Sequence, residues 1–263
     1  MDFGQFFCFR NDRLEPVVGS AETEVQLAAA DSWLVEDGRA REIERHFERF
    51  GNWVLELNPE YKDRLEAFFE AVRKSIPLTG RWFPRLEYHR EAPEHENLYF
   101  RLREAPEQLG PMTLWTLPES DPRANSSVKG PDLSLGMQMR RNAKMHGADE
   151  AVLLNSDGYV AEGALCSLVW WRGDVLCAPD DSISWLPSVT REIVLDIART
   201  AGYEVQFERA KPADLVGLEI WGLSSLQGIR VVEGWVDLGA PVGKAVHFDT
   251  FNKRLKLQSR SIA

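Results

Sequence analysis

Val128-Lys129-Gly130-Pro131-Asp132 and, with Glu162 standing 33 residues beyond Lys129, Gly158-Tyr159-Val160-Ala161-Glu162-Gly163 are the stretches on which the reading of this chain turns. Between them lie a helix-like run over 133–146, stopped by Gly147, and the apolar run Asp149-Glu150-Ala151-Val152-Leu153-Leu154-Asn155, closed by Ser156-Asp157-Gly158. Glycine after the last periodic residue ends a helix, and Asp-Gly between apolar runs turns a hairpin. A lone lysine behind a polar linker is ordinarily a surface lysine, because lysine is seldom buried. Where two domains face one another, the same amine would be desolvated. Its pKa would fall and its lone pair could attack a carbonyl carbon.

Upstream, residues 118–127 read Pro-Glu-Ser-Asp-Pro-Arg-Ala-Asn-Ser-Ser, turn formers with no apolar residue larger than alanine. This run is the best domain boundary. The expectation is a first α+β domain over 1–117, an interdomain linker over 118–128 and a second α+β domain over 129–263 that carries Lys129. In the first domain, strands at 6–9 and 14–18 pair around Arg10-Asn11-Asp12-Arg13. Ile43, Phe47 and Phe50 share a helix face that Gly51 ends, and a second helix over 59–75 turns Leu65, Phe68, Phe69 and Val72 inward. Residues 86–89, 98–102 and 112–117 read as strands. In the second domain Arg172-Gly173-Asp174 is a tight turn between strands rather than an adhesion signal. A helix opens at Ser188 and stops at Gly202, and strands follow at 205–207, 218–223 and 229–232. Hairpins with scattered helices indicate α+β rather than a regular βαβ succession.

A chain of 263 residues, 44 % hydrophobic and 27 % charged, is an ordinary globular chain able to bury a substantial core. A net charge of −10 argues against nucleic acid held by a general basic surface, but not against a small anion in a cleft. Cys8, Cys166 and Cys177 are odd in number and contain no Cys-x-x-Cys pair. That argues against a disulfide framework or a metal site and fits a reducing cytosol. With no basic-then-apolar start and no run of membrane-spanning length, the expectation is a cytoplasmic protein with neither nucleic-acid nor membrane partners.

Five motifs stand in a telling order. His46-Phe47-Glu48-Arg49 precedes Lys129; then come Glu162, Ser188-Val189-Thr190-Arg191, and Ser224-Ser225 after Ile220-Trp221-Gly222-Leu223. This order resembles class IV (fold type IV) pyridoxal-phosphate enzymes, the group of branched-chain and D-amino-acid aminotransferases and aminodeoxychorismate lyase. The resemblance runs from about Ala29 to Val232 and is strongest from Lys129 to Arg191. It implies an α+β, two-domain, D-amino acid aminotransferase-like fold with the pyridoxal 5'-phosphate site between the domains, and a homodimer. It implies Lys129 as the Schiff-base lysine and Glu162 as the carboxylate opposite the pyridine nitrogen. Such a charge-assisted bond contributes about 1.5–3 kcal/mol, or about one to two pKa units of bias toward the protonated ring. Val189 and Thr190 at a helix N-terminus, Ser224, Ser225 and Arg49 are the implied phosphate cup, since backbone amides and the helix dipole suit a dianion. Arg101 and Arg103 are candidates for a substrate carboxylate, against a reading as exposed strand arginines.

The implied reaction moves an amino group between an amino acid and a 2-oxo acid through a lysine aldimine. The same parts would serve a 4-amino-4-deoxychorismate lyase releasing pyruvate and p-aminobenzoate. Departures from the family pattern motivate a further alternative, a cofactor-free relative acting as a binding protein. Ser167 stands where the family has asparagine, and Ser134 where branched-chain enzymes carry tyrosine. The Arg-Gly-rich loop of the lyases is absent at Arg101-Leu102-Arg103-Glu104-Ala105-Pro106. Transfer or elimination, the amino acid accepted and its stereochemistry stay open at this point.

Overall fold

The computed structural model describes residues 4–17, 27–93 and 95–263, and they gather into two compact units. The first takes the described residues up to Glu107 together with Val128–Pro131 and Gln258–Ala263; the second takes Gln108–Ser127 and Asp132–Leu257.

The first unit opens with strands β1 (Gln5–Arg10) and β2 (Arg13–Pro16) in an antiparallel hairpin, Arg10 opposite Arg13. Asn11 and Asp12 both take positive φ, 48° and 56°, a conformation that short polar side chains tolerate in a two-residue turn. Val18, the last residue expected in this pairing, lies outside the described residues. Next come β3 (Leu27–Ser32), β4 (Val35–Glu36), β5 (Arg39–Arg41) and helix α1 (Ile43–Leu57). A 3-10 turn over Pro59–Tyr61 leads into α2 (Lys62–Ser75), followed by β6 (Arg81–Trp82), β7 (Arg85–His89) and β8 (Leu98–Leu102).

The main sheet runs β2-β1-β8-β7-β3, antiparallel throughout. Side chains alternate between its faces. Phe9, Leu86, Tyr88, Leu98 and Phe100 pack with Phe47, Phe50, Leu65, Phe68 and Val72 of the two helices in one core. The opposite face carries Phe6, Arg85, Glu87, His89, Tyr99 and Arg101. The expected stop at Gly51 is not taken, and α1 continues to Leu57. Gly51 is buried with the Phe69 ring 3.5 Å from where a Cβ would stand. Its backbone stays helical, without the positive φ of a helix stop, so the glycine does not end the helix.

The second unit contains β9 (Met112–Thr116), α3 (Leu133–Met145), β10 (Glu150–Leu154), β11 (Val160–Gly163), β12 (Ser167–Arg172) and β13 (Val175–Pro179). It continues with α4 (Val189–Thr200), β14 (Glu204–Glu208), β15 (Glu219–Ser224), β16 (Gly228–Trp235) and α5 (Phe248–Leu257). These strands form one mixed sheet, β11-β10-β9-β16-β15-β12-β13-β14. The pairs β9–β10 and β13–β14 are parallel, so α3 and α4 each cross over between parallel neighbours, connections the hairpin-based reading did not foresee. Arg172 pairs with Val175 and Gly173 takes φ 62°, so the Arg-Gly-Asp triplet is the tight turn expected. The last strand, β17 (Ser259–Ser261), pairs with β5 in a small sheet of the first unit, β17-β5-β4-β6.

The two units divide the chain differently from the expected boundaries at 117, 128 and 129. Residues 118–127 belong to the second unit, and Lys129 belongs to the first. The cause is local: the Lys129 carbonyl accepts the Ala30 N–H at 2.6 Å. Gly130, at φ 149°, lies so near Ala29 that a Cβ would meet its Cα at 2.9 Å.

Candidate active site

In the first unit, the inward stripe of Ile43, Phe47 and Phe50 turns His46 and Arg49 of α1 toward Asp31 on β3. Arg49 donates Nε to Asp31 Oδ2 at 2.7 Å and Nη2 to Oδ1 at 2.8 Å. His46 Nδ1 lies 2.8 Å from Oδ1, and the Ser32 N–H donates to it at 2.7 Å. Burial by itself would raise the pKa of Asp31, but Arg49 and His46 outweigh it and hold the carboxyl well below its ordinary range. Burial lowers the pKa of His46 despite the neighbouring Asp31. The neutral ring then carries its proton on Nδ1, since a carboxylate can only accept.

Lys129 lies within electrostatic reach of this group. Part of the residue meets solvent, yet its amine is densely surrounded. Burial, opposed by Asp31 and reinforced by Arg49, Arg85 and Arg103, brings it down to about 8. The structure thus brings Arg49 and Lys129 into one cluster around an aspartate that sequence reasoning missed.

The opposite sheet face collects the expected substrate arginines. Arg101 donates Nε to Glu87 Oε1 at 3.0 Å and lies over the Phe6 ring at 4.2 Å. Arg85 Nε stands 3.2 Å from the same oxygen, and His89 Nε2 is 2.9 Å from Oε2. Burial would raise Glu87; His89, Arg85 and Arg101 outweigh it and take it to about 2. Arg103 donates Nε to the Phe83 carbonyl at 3.2 Å, while its Nη2 is buried with no hydrogen-bond partner. Burial, with Arg85 and Arg101 nearby, brings Arg103 to about 10. Three guanidiniums around one carboxylate make this face electropositive. Neither arginine is an exposed strand residue.

In the second unit, Glu162 on β11 is buried. Its Oε1 accepts the Leu186 N–H at 2.9 Å and lies 2.9 Å from Arg123 Nη2. Burial pushes the pKa of Glu162 up, opposed by Arg123 and, more weakly, by Arg191. The Ser188 hydroxyl caps α4 by accepting the Arg191 N–H at 3.2 Å. Val189 and Thr190 follow, buried in the first turn, where helix geometry leaves N–H groups without intrahelical partners. Thr190 Oγ1 lies 3.5 Å from Ser225 Oγ. Ser224, the neighbouring candidate, uses its hydroxyl within the turn after β15, accepting the Gln227 N–H at 3.2 Å. Arg191 stacks over Trp185, 3.3 Å to the ring centre, with its Nε buried and without a hydrogen-bond partner.

These groups fit pyridoxal phosphate on chemical grounds. There is an amine of reduced basicity, a buried carboxylate bonded through one oxygen, and a helix N-terminus with two hydroxyls beside it. Among the described residues, no cluster of three or more His, Cys, Asp or Glu suits a metal ion. No helix among them is long and apolar enough to cross a membrane.

The amino-transferase class IV family model matches residues 28–235. The chain therefore belongs to this family, whose enzymes use pyridoxal phosphate, and the resemblance read from the motifs holds. The branched-chain-amino-acid aminotransferase of Salmonella typhimurium is 31 % identical over 102 residues, 35 % of this chain and 33 % of that protein. The aminodeoxychorismate lyase of Vibrio harveyi is 30 % identical over 110 residues, 41 % of this chain and 40 % of that protein. These matches span 33 % and 40 % of the curated relatives' length. A hypothetical aminotransferase from Mycobacterium tuberculosis, in its α-ketoglutarate- and PMP-bound form, superposes with a TM-score of 0.80. That likeness covers 97 % of this chain and 98 % of the other at 21 % identity, and establishes the fold: α+β, fold type IV, as expected.

Asp31 and Arg123 had no signal in the sequence. Asp31 contacts residues 15 and 18 positions away across a strand and a helix, and Arg123 sits in a run that reads as turns. His46 and Arg191 did have one, since both lie inside quoted motifs.

Proposed function

We propose that this protein is a pyridoxal-phosphate-dependent aminotransferase that moves an amino group between an amino acid and a 2-oxo acid. The reading is carried by the Lys129 amine, brought to about 8 by burial among guanidiniums. At neutral pH roughly a tenth of such an amine is free base, against well under a thousandth of an ordinary lysine. When bound, pyridoxal phosphate supplies an electrophilic carbon and a ring that withdraws electrons from the substrate's α-carbon.

Lys129 would supply the amine that holds the cofactor, and the same amine would take and return the substrate's α-proton. Glu162 keeps a negative oxygen at the ring nitrogen. The N–H groups of Val189 and Thr190, the Thr190 and Ser225 hydroxyls, and Arg49, oriented by Asp31, receive the phosphate. Ser224 holds the turn that presents Ser225. Arg101 and Arg103 take the substrate carboxylate, because a guanidinium fork matches two oxygens. The family resemblance also supports a homodimer, which sedimentation would test.

The lyase reading is kept because the Vibrio harveyi match covers more of this chain, 41 % against 35 %. Amino exchange that depends on a 2-oxo acid supports transfer; p-aminobenzoate formed without an acceptor supports the lyase. The site assignment is tested by the visible spectrum of the cofactor-loaded protein, then borohydride trapping and peptide mapping. Labelling at a lysine other than Lys129 would refute it.

A further inference from the structure

Residues 118–127 read as a linker, yet they deliver a guanidinium to the buried carboxylate of β11. Arg123 Nη2 lies 2.6 Å from Asp121 Oδ2 and 2.9 Å from Glu162 Oε1. Its Nε stands 2.9 and 3.1 Å from the two oxygens of Asp121, and its N–H donates to Asp121 Oδ1 at 3.1 Å. The three side chains are 14 % exposed or less. Asp121 thus clamps Arg123 from one side, and Arg123 spends one nitrogen on both carboxylates.

We propose that Arg123 is a positioning residue that keeps Glu162 ionised and oriented, with Asp121 holding Arg123 in place. The proposal rests on Glu162 being the acid at the cofactor's ring nitrogen. A buried carboxyl left alone takes up a proton instead of keeping its charge. The Leu186 N–H adds a hydrogen bond to Glu162 but no charge. The other groups facing Glu162 are Arg191 of α4, stacked on Trp185, and Cys166, whose thiol burial keeps protonated. Glu150 lies behind Cys166 and is itself pushed up to about 7 by burial. Arg123 is the cation that bonds Glu162 directly.

The test titrates the Glu162 carboxyl by NMR of protein labelled with carbon-13 at the glutamate carboxyl carbons, before cofactor is added, with the signal assigned by loss in Glu162→Gln. Arg123→Met should raise the midpoint by about one to three pH units, tenfold or more in the protonation constant. Arg123→Lys, which keeps the charge, should restore most of the shift. A midpoint that moves less than about half a unit in folded Arg123→Met overturns the proposal. Should that variant not fold, Arg123→Gln reads the same midpoint. Cofactor-loaded Glu162→Gln separates the underlying reading. If its absorption spectrum and pH dependence match the parent protein, the cofactor role of Glu162 falls, while Arg123's hold on the carboxyl is judged by the titration alone.

Discussion

Asp31 in the first unit and Glu162 in the second are both buried, yet their environments act on them in opposite directions. Asp31 accepts from the Ser32 N–H, two nitrogens of Arg49 and the ring of His46; its pKa ends well below the ordinary value. Glu162 accepts from the Leu186 N–H and shares one Arg123 nitrogen with Asp121; its pKa ends above the ordinary value. Depth of burial does not separate them. The number of donors and how fully each is committed do, because a buried charge needs full compensation. Glu87, ringed by Arg85, Arg101 and His89, falls on the Asp31 side. Glu150, with an unpartnered buried Oε1, falls on the Glu162 side.

The largest expected effect lies beside Asp31. Lys129→Gln should lower single-turnover transfer about a thousandfold or more, about 4 kcal/mol of barrier, and abolish borohydride labelling. Retained turnover would remove the reason for tuning the amine at all.

The contrast between the carboxylates is then broken or kept by paired substitutions. Asp31→Asn should cost about 3 kcal/mol in urea unfolding at pH 7, since it strips a buried arginine of its counter-charge. Glu162→Gln should cost under about 1 kcal/mol, because burial already opposes its charge. Equal losses would mean that partner number does not matter. The pH dependence has a definite sign: Asp31's pKa is depressed on folding, so its contribution is present above its ordinary 3.8 and lost as pH falls below that.

Glu150 should behave inversely. Its pKa rises from 4.5 to about 7, so its stabilising contribution is full below 4.5 and is lost as pH climbs through 7. Unfolding free energy should drop on the order of 3 kcal/mol across that window, and Glu150→Gln should flatten the drop. A parallel pH profile in the variant would exclude Glu150 as its source. The smaller effects are expected among the hydroxyls: Thr190→Ala should weaken cofactor binding about fivefold, the worth of one neutral hydrogen bond, by fluorescence titration. Ser224→Ala, whose hydroxyl serves the turn, should change it less than about twofold.

Local periodicity was legible: it located β7, β8 and the hairpin turns to within a residue or two, and α2 together with the 3-10 turn that precedes it. It failed at Gly51, which lies buried inside a helix that runs on to Leu57, and at the crossovers of α3 and α4, which depend on which strands become neighbours. Among the site candidates, motif order singled out Lys129, Glu162, Thr190, Ser225 and Arg49, of which the structure sets Arg49 and Lys129 near Asp31 and Thr190 beside Ser225. It gave no sign of Asp31 or Arg123, and the compact unit that holds Lys129 is the first, not the one that follows it along the chain.

By itself the sequence determined which segments form helices and strands, and in what order Lys129, Glu162 and the helix start at Ser188 occur along the chain. Those are properties of neighbours, set by backbone sterics and side-chain spacing. Only the tertiary structure decided that a backbone hydrogen bond ties Lys129 to Ala30, that Asp31 neutralises Arg49, and that Arg123 reaches Glu162. Burial and charge compensation are summed over groups distant along the chain, and no local pattern records that sum.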